Sequence, residues 1–211
     1  MKTIAKLALA VVLLSSSSQA VVTLTSRNFS SATVGVPVVS ATGVAVDQGT
    51  VFASAGVLAE GFVINASTTV AQILANFTPV TTTPVSLHAT FDGLFNGAQS
   101  PDFGTDAAPN ATFVGKTAFV LIGNSATLSS SSAVALFNAG VTFNSANSLG
   151  AGSQTLDATT AAKVVYGNVV PVTVQPSLNG AAFASGVVLI PEPSVALLGL
   201  LGCVGFFRRR R

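Results

Sequence analysis

The feature that most constrains the fold of this chain is a rhythm of short β-branched runs broken by turn-forming residues. In Val85-Ser86-Leu87-His88-Ala89-Thr90-Phe91 the alternation is strict. An extended backbone there puts Val85, Leu87, Ala89 and Phe91 on a core face, and Ser86, His88 and Thr90 on the other. Similar runs at 21–25, 33–39, 50–53, 61–64, 117–122, 133–137, 141–143, 169–174 and 181–190 read as further strands. Gly, Asn, Pro and Ser separate them at intervals of about 8 to 15 residues, which predicts an all-β, β-sandwich-like single domain. Asp92-Gly93, Asn96-Gly97 and Asn179-Gly180 carry the best turn signals.

One short helix interrupts this pattern. Val70, Ile73, Leu74 and Phe77 fall at helical spacing, with Ser67 placed as N-cap and Pro79 just past the end. The helix is expected to cover a sheet edge or end. A weaker helical signal lies at 158–166, where alanines compete with β-branched residues. Residues 95–110, rich in Pro, Gly and Asp, read as the longest loop. Phe29, Phe52, Phe62, Phe91, Phe113, Phe119, Phe137, Phe143 and Phe183 read as core rather than as a binding stripe. No repeat of fixed period is visible.

Both ends of the chain read as addresses outside the fold. Residues 1–20 carry Lys2 and Lys6, an apolar core from Leu7 to Leu14, and Ser18-Gln19-Ala20. That is the layout of a secretory signal peptide, with cleavage after Ala20. At the other end stand Pro191, Glu192 and Pro193, an uncharged run over 194–207, and then Arg208, Arg209, Arg210 and Arg211. As a helix the run reaches roughly 21 Å against a hydrocarbon core of about 30 Å, short for a permanent span. The four arginines favour the cytoplasmic side, which leaves the rest of the chain outside the inner membrane. Pro-Glu-Pro then sits at the membrane surface.

These three parts in this order resemble the PEP-CTERM sorting tail of exported bacterial proteins, over the last 22 or so residues only. The resemblance implies a partner, an exosortase, that recognises Pro191, Glu192 and Pro193, cuts nearby and releases the protein or passes it to the cell surface. It implies that Arg208 to Arg211 act as a stop-transfer anchor during sorting. The alternative is an ordinary membrane anchor that is never cut. The division predicted is a signal peptide at 1–20, an extracellular all-β domain at 21–187 and a sorting tail at 188–211.

The addresses also account for the apparent basicity. The whole chain has a net charge of +2, but residues 21–190 keep only Arg27, Lys116 and Lys163 against Asp47, Glu60, Asp92, Asp102, Asp106 and Asp157. A body this poor in clustered Lys and Arg offers no phosphate-neutralising patch, so no nucleic-acid partner is expected. So few charges leave Ser, Thr, Asn and Gln to cover the surface, which eases self-association or packing into a polymer matrix. The single cysteine, Cys203, lies in the terminal apolar run, so the body has no disulfide.

Catalytic chemistry finds little material. His88 with Asp92 and a serine such as Ser125 is conceivable, but His88 is placed on the outward face of a strand and no Gly-x-Ser-x-Gly elbow occurs. The scattered carboxylates, with no tryptophan to stack a sugar, argue against glycoside hydrolysis. Asp102 and Asp106 lack the alternating oxygen ligands of a calcium loop and read as a solvated turn. No metal or cofactor is expected. Asn28, Asn65, Asn76 and Asn110 begin Asn-x-Ser/Thr triplets, which the bacterial character of the tail makes improbable glycosylation sites. The expectation is a non-enzymatic surface or matrix protein with a structural or interaction role in the envelope or exopolysaccharide matrix. The alternatives are a polysaccharide-binding module and, behind it, a secreted hydrolase.

Overall fold

Most of the β-branched runs do become strands. The computed structural model of the 211-residue chain describes residues 23–31, 33–47, 49–86, 92–104, 108–145, 153–173 and 183–192. In chain order they form β1 (Thr23–Arg27), β2 (Phe52–Leu58), α1 (Val70–Asn76), β3 (Phe77–Pro79), β4 (Val85–Ser86), β5 (Asn96–Gln99), β6 (Thr117–Gly123), β7 (Ala133–Thr142), β8 (Ser153–Asp157), β9 (Val164–Tyr166), β10 (Asn168–Pro171), β11 (Ser185–Val188) and β12 (Ile190–Pro191). Among the described residues the fold is mostly β-sheet with one α-helix.

A seven-stranded sheet runs β12-β7-β6-β2-β3, with β4 also on β2 and β9 also on β7. A three-stranded sheet runs β5-β1-β8, and β10 pairs with β11 in a ribbon. All these pairs are antiparallel except β1 with β8. The central strands β2, β6 and β7 read as nearly unbroken apolar runs because the large sheet is covered on both faces, and alternation is lost where both faces are buried. On one face Ala53, Ala55, Val57, Val120, Ile122, Ala135 and Phe137 share a core with Leu24 of β1 and Leu156 of β8. On the other, Leu121, Val134 and Leu136 meet Val70 and Ile73 of α1. The helix therefore covers a sheet face, not the edge or end expected. Its apolar stripe needed a broad apolar surface, which Leu121 and Leu136 supply.

Several boundaries move from their expected places, each for a local reason. The N-cap is Thr69, not Ser67: the Thr69 hydroxyl accepts from Gln72 N at 3.2 Å, while Gln72 Oε1 accepts from Thr69 N at 2.9 Å. That reciprocal pair satisfies two otherwise unpaired amides and outweighs a lone serine. Phe77 leaves the helix at φ −98°, ψ 123° to open β3 opposite Leu58, with its ring against Gly56. Runs 133–137 and 141–143 merge into β7, which ends at Thr142. Segments 33–39 and 61–64 form no strand; the first makes only isolated bridges at Gly35, Val38 and Val39. Residues 158–166 hold a 3₁₀ turn at Ala161–Lys163 and then β9.

Asn96-Gly97 is not a turn, since Gly97 lies inside β5 opposite Ser26. A Cβ there would overlap the Val85 side chain, so close packing explains this glycine. Asp92-Gly93 is a turn, with Gly93 at φ +70°. Residues 95–110 are not one solvated loop either: Phe95 and Phe103 are fully buried, and Phe103 packs on Phe143 with ring centroids 5.3 Å apart. Of the phenylalanines expected in the core, Phe113, Phe137, Phe143 and Phe183 are buried, while Phe29, Phe52, Phe62 and Phe119 are half-buried. Phe91, the expected strand beyond Ser86 and the Asn179-Gly180 turn lie outside the described residues.

Two buried amides tie these layers together. Asn28 donates from Nδ2 to Val36 O (3.0 Å) and Gly93 O (2.9 Å), and its Oδ1 accepts from Phe95 N (2.7 Å). Gln99 accepts from Ala55 N (3.1 Å) and donates to Ser54 Oγ (3.2 Å), Thr81 Oγ1 (2.6 Å) and Thr83 O (3.1 Å). It fills the interval on β2 between the register of β4 and that of β3.

Candidate functional site

Of the Pro-Glu-Pro residues, two meet the fold, at the outer edge of β7. That edge is occupied in series: Val164 and Tyr166 of β9 lie opposite Phe137 and Leu136, and then Ile190 and Pro191 of β12 lie opposite Val134 and Ala133. Beyond the pair, Glu192 N donates to Ser132 O at 2.7 Å. Two residues of the Pro-Glu-Pro stretch, Pro191 and Glu192, are thus joined to the body. The strand expected at 181–190 continues past the domain boundary expected at 187, as β11 to Val188 and β12 to Pro191.

A proline in a sheet needs an explanation, and the partner residue gives it. Ala133 donates its N–H to Asn124 Oδ1 (3.1 Å) and accepts at its carbonyl from Asn124 N (3.2 Å). Both of its backbone groups are engaged on the side away from β12, so Pro191 faces a position that asks nothing of its missing N–H. Being on the edge strand, it leaves no further neighbour without a donor.

Asn124 sets the start of β7. Besides Ala133, its Oδ1 accepts from Ser132 N at 2.9 Å and its Nδ2 donates to Ser132 Oγ at 3.0 Å. The Ser132 carbonyl that receives Glu192 is held in place by these bonds. Ser131 beside it is buried, with an Oγ that finds no partner among the described residues, packed against Gly123. A surface recess of about 470 Å³ opens between α1 and this serine loop, lined by Ala71, Leu74, Ala75, Ser130, Ser132 and Glu192. Tyr166 feels the same carboxylate: partial burial, and then the Glu192 charge, push its ionisation above the usual 10.0.

Elsewhere the proposed chemistries separate. His88 and Asp106 lie outside the described residues. The Asp102 carboxylate accepts from Gly104 N at 2.9 Å, and Ser125 Oγ accepts from Thr127 N at 3.3 Å, so both cap their own turns. Arg27 pairs with Asp157 at 2.5 Å and Lys163 donates to the Asp157 carbonyl at 2.7 Å, which gathers two of the body's three cations at one rim position. Among the described residues no group of three His, Cys, Asp or Glu side chains converges. Asn28 is fully buried, closed to modification in the folded state, whereas Asn65 is exposed and Asn76 half-buried.

A second, open recess of about 800 Å³ is lined by neutral hydrogen-bonding groups including Thr117, Asn138, Thr142, Asn144, Ser153 and Thr155. Two of its amides serve the protein itself: Gln154 Nε2 donates to Thr142 O at 2.6 Å, and Asn138 Oδ1 accepts from Gly140 N at 2.8 Å.

The remaining residues expected to act as addresses, Ala20, Pro193 and Arg208 to Arg211, fall outside the described residues, as does the 194–207 run. Among the described residues no helix is long and apolar enough to cross a membrane. In comparisons with known proteins the chain matches no family model, no curated protein and no solved structure.

Proposed function

We propose that this chain is an exported bacterial surface or matrix protein whose sandwich-like β body is delivered by its tail. Residues 1–20 are removed after Ala20, and the tail at 188–211 is held in the inner membrane through 194–207 with Arg208 to Arg211 inside. An exosortase then acts at Pro191, Glu192 and Pro193 to free the body to the surface. The observation that carries this reading is the order of motif, apolar run and arginine cluster at the terminus. The last described strand, β12, runs along a sheet edge, and the sequence enters the apolar run two residues after Glu192. The body's role is structural or interactive rather than enzymatic, since a surface of Ser, Thr, Asn and Gln with few charges packs readily into a neutral polymer. The test is the mass of the surface-exposed protein from cells with and without the exosortase. Loss of the segment after Pro-Glu-Pro only when the enzyme is present supports sorting, and an intact Arg211 terminus in the surface fraction refutes it.

One observation favours a second reading, a polysaccharide-binding module. The 800 Å³ recess offers the uncharged hydroxyls and amides that sugar hydroxyls pair with. Retention of the protein on the cell's own exopolysaccharide, lost in a Thr117→Val, Thr155→Val variant, supports it; unretarded elution of the unaltered protein removes it.

A further inference from the structure

We propose that the folded body restrains its own sorting motif, so that cutting of the tail waits on release of β12 from β7. This rests on the sorting reading above. An enzyme that cuts near Pro191 needs the extended main chain on either side of the bond free to enter its cleft. In the folded domain that chain is already a strand: Ile190 and Pro191 lie in register with Val134 and Ala133, and the Glu192 N–H is donated to Ser132 O at 2.7 Å.

The restraint is built in rather than incidental. Ser132 is positioned by two bonds with Asn124, Pro191 sits where its lack of an N–H costs no ladder bond, and Leu189 two residues before it packs against the main core. There is also little slack. Only Pro193 separates Glu192 from the start of the apolar run, a reach of at most about 7 Å to Ser194. The motif therefore cannot be offered to a membrane-embedded enzyme by a flexible linker while β12 stays paired. The fold makes cutting sensitive to the local stability of one two-residue edge strand, a part of a sheet that opens far more often than its centre.

The test locks the strand and frees it, in the full chain, in cells that contain the exosortase. Ile190 and Val134 are opposite each other. Antiparallel Cα separations of about 4.5 to 5.5 Å fall within the about 4.4 to 6.8 Å that a disulfide spans. An Ile190→Cys, Val134→Cys pair, with Cys203→Ser to remove the competing thiol, oxidises outside the inner membrane and locks β12 while leaving Pro191, Glu192 and Pro193 intact. Tail loss is followed by pulse-chase and mass. The locked protein is expected to lose its tail at least tenfold more slowly than either single-cysteine variant; equal rates, with those variants cut normally, overturn the restraint and leave sorting standing. Ile190→Asn loosens the strand and is expected to be cut at least threefold faster than the unaltered protein at limiting enzyme; an equal or lower rate overturns the restraint even if the cysteine pair fails to accumulate. An unaltered protein that keeps Arg211 in the presence of the enzyme removes the sorting reading itself, and this inference with it.

Discussion

Asn28→Ala is expected to be among the most damaging single polar substitutions in the body. The side chain is fully buried and serves three backbone groups: Phe95 N, Val36 O and Gly93 O. Gly93 O keeps a second donor in Val38 N at 2.7 Å, so truncation leaves two groups, Phe95 N and Val36 O, without this partner. At about 1 to 3 kcal/mol for each buried group left unpaired, the loss is about 2 to 6 kcal/mol, softened toward the lower end if a water enters the space left. For a domain of this size each kcal/mol lowers Tm by about 2 to 4 °C, so a fall of roughly 5 °C or more is expected. Thermal unfolding followed by β-sheet circular dichroism measures it. Asn76→Ala is the control, because the Asn76 side chain is half-buried and makes one bond, to Gln72 O at 2.8 Å. If the Asn28 variant melts within a degree of the Asn76 variant, the buried-amide reasoning is wrong.

Gln99→Ala removes the acceptor for Ala55 N and the donor to Ser54, Thr81 and Thr83. A loss of about 2 to 4 kcal/mol in urea unfolding is expected, with unchanged stability contradicting it. Asn124→Ala frees the start of β7 and is expected to raise amide exchange at Ser132 and Glu192 while leaving β2 amides unchanged; uniform change across the domain would mean global destabilisation instead. Tyr166 is the single tyrosine and there is no tryptophan, so absorbance near 295 nm reads its ionisation alone. It is expected above 10.0, and Glu192→Gln is expected to lower it only part of the way, since burial is the larger cause. Because the folded state holds this proton more tightly than the unfolded one, its contribution to stability is constant below about pH 10 and falls as pH rises beyond that.

The strands of the centre were legible in the sequence because their chemistry is local. β6 is dense in β-branched and aromatic residues, whereas in β7 Asn138 to Gly140 read as a break that pairing with β6 overrides. β5 and β8 were not legible: Asn96-Gly97 is a strong turn signal in isolation, and only pairing with Ser26 of β1, about 70 residues earlier, makes Gly97 a strand residue. Ser153–Asp157 is polar enough to read as loop, and its pairing with β1 becomes visible only when chain segments 130 residues apart are brought together. Phe77 kept helical spacing with Val70 and Ile73, yet its pairing with Leu58 decided its state. At the tail junction the apolar run through Leu189 and Ile190 was the signal that a strand continues to the motif. The proline after it reads as a stop, because a sequence alone does not reveal that the facing Ala133 has its backbone turned toward Asn124.

The most direct measurement of whether the body holds the proposed sorting segment is hydrogen exchange at the Glu192 amide in the full chain, resolved by NMR. Pairing with Ser132 O predicts exchange at least tenfold slower than an unstructured peptide of the same sequence, and faster exchange once Ile190→Asn loosens β12. Exchange at the unstructured rate in the unaltered protein would contradict the docked strand.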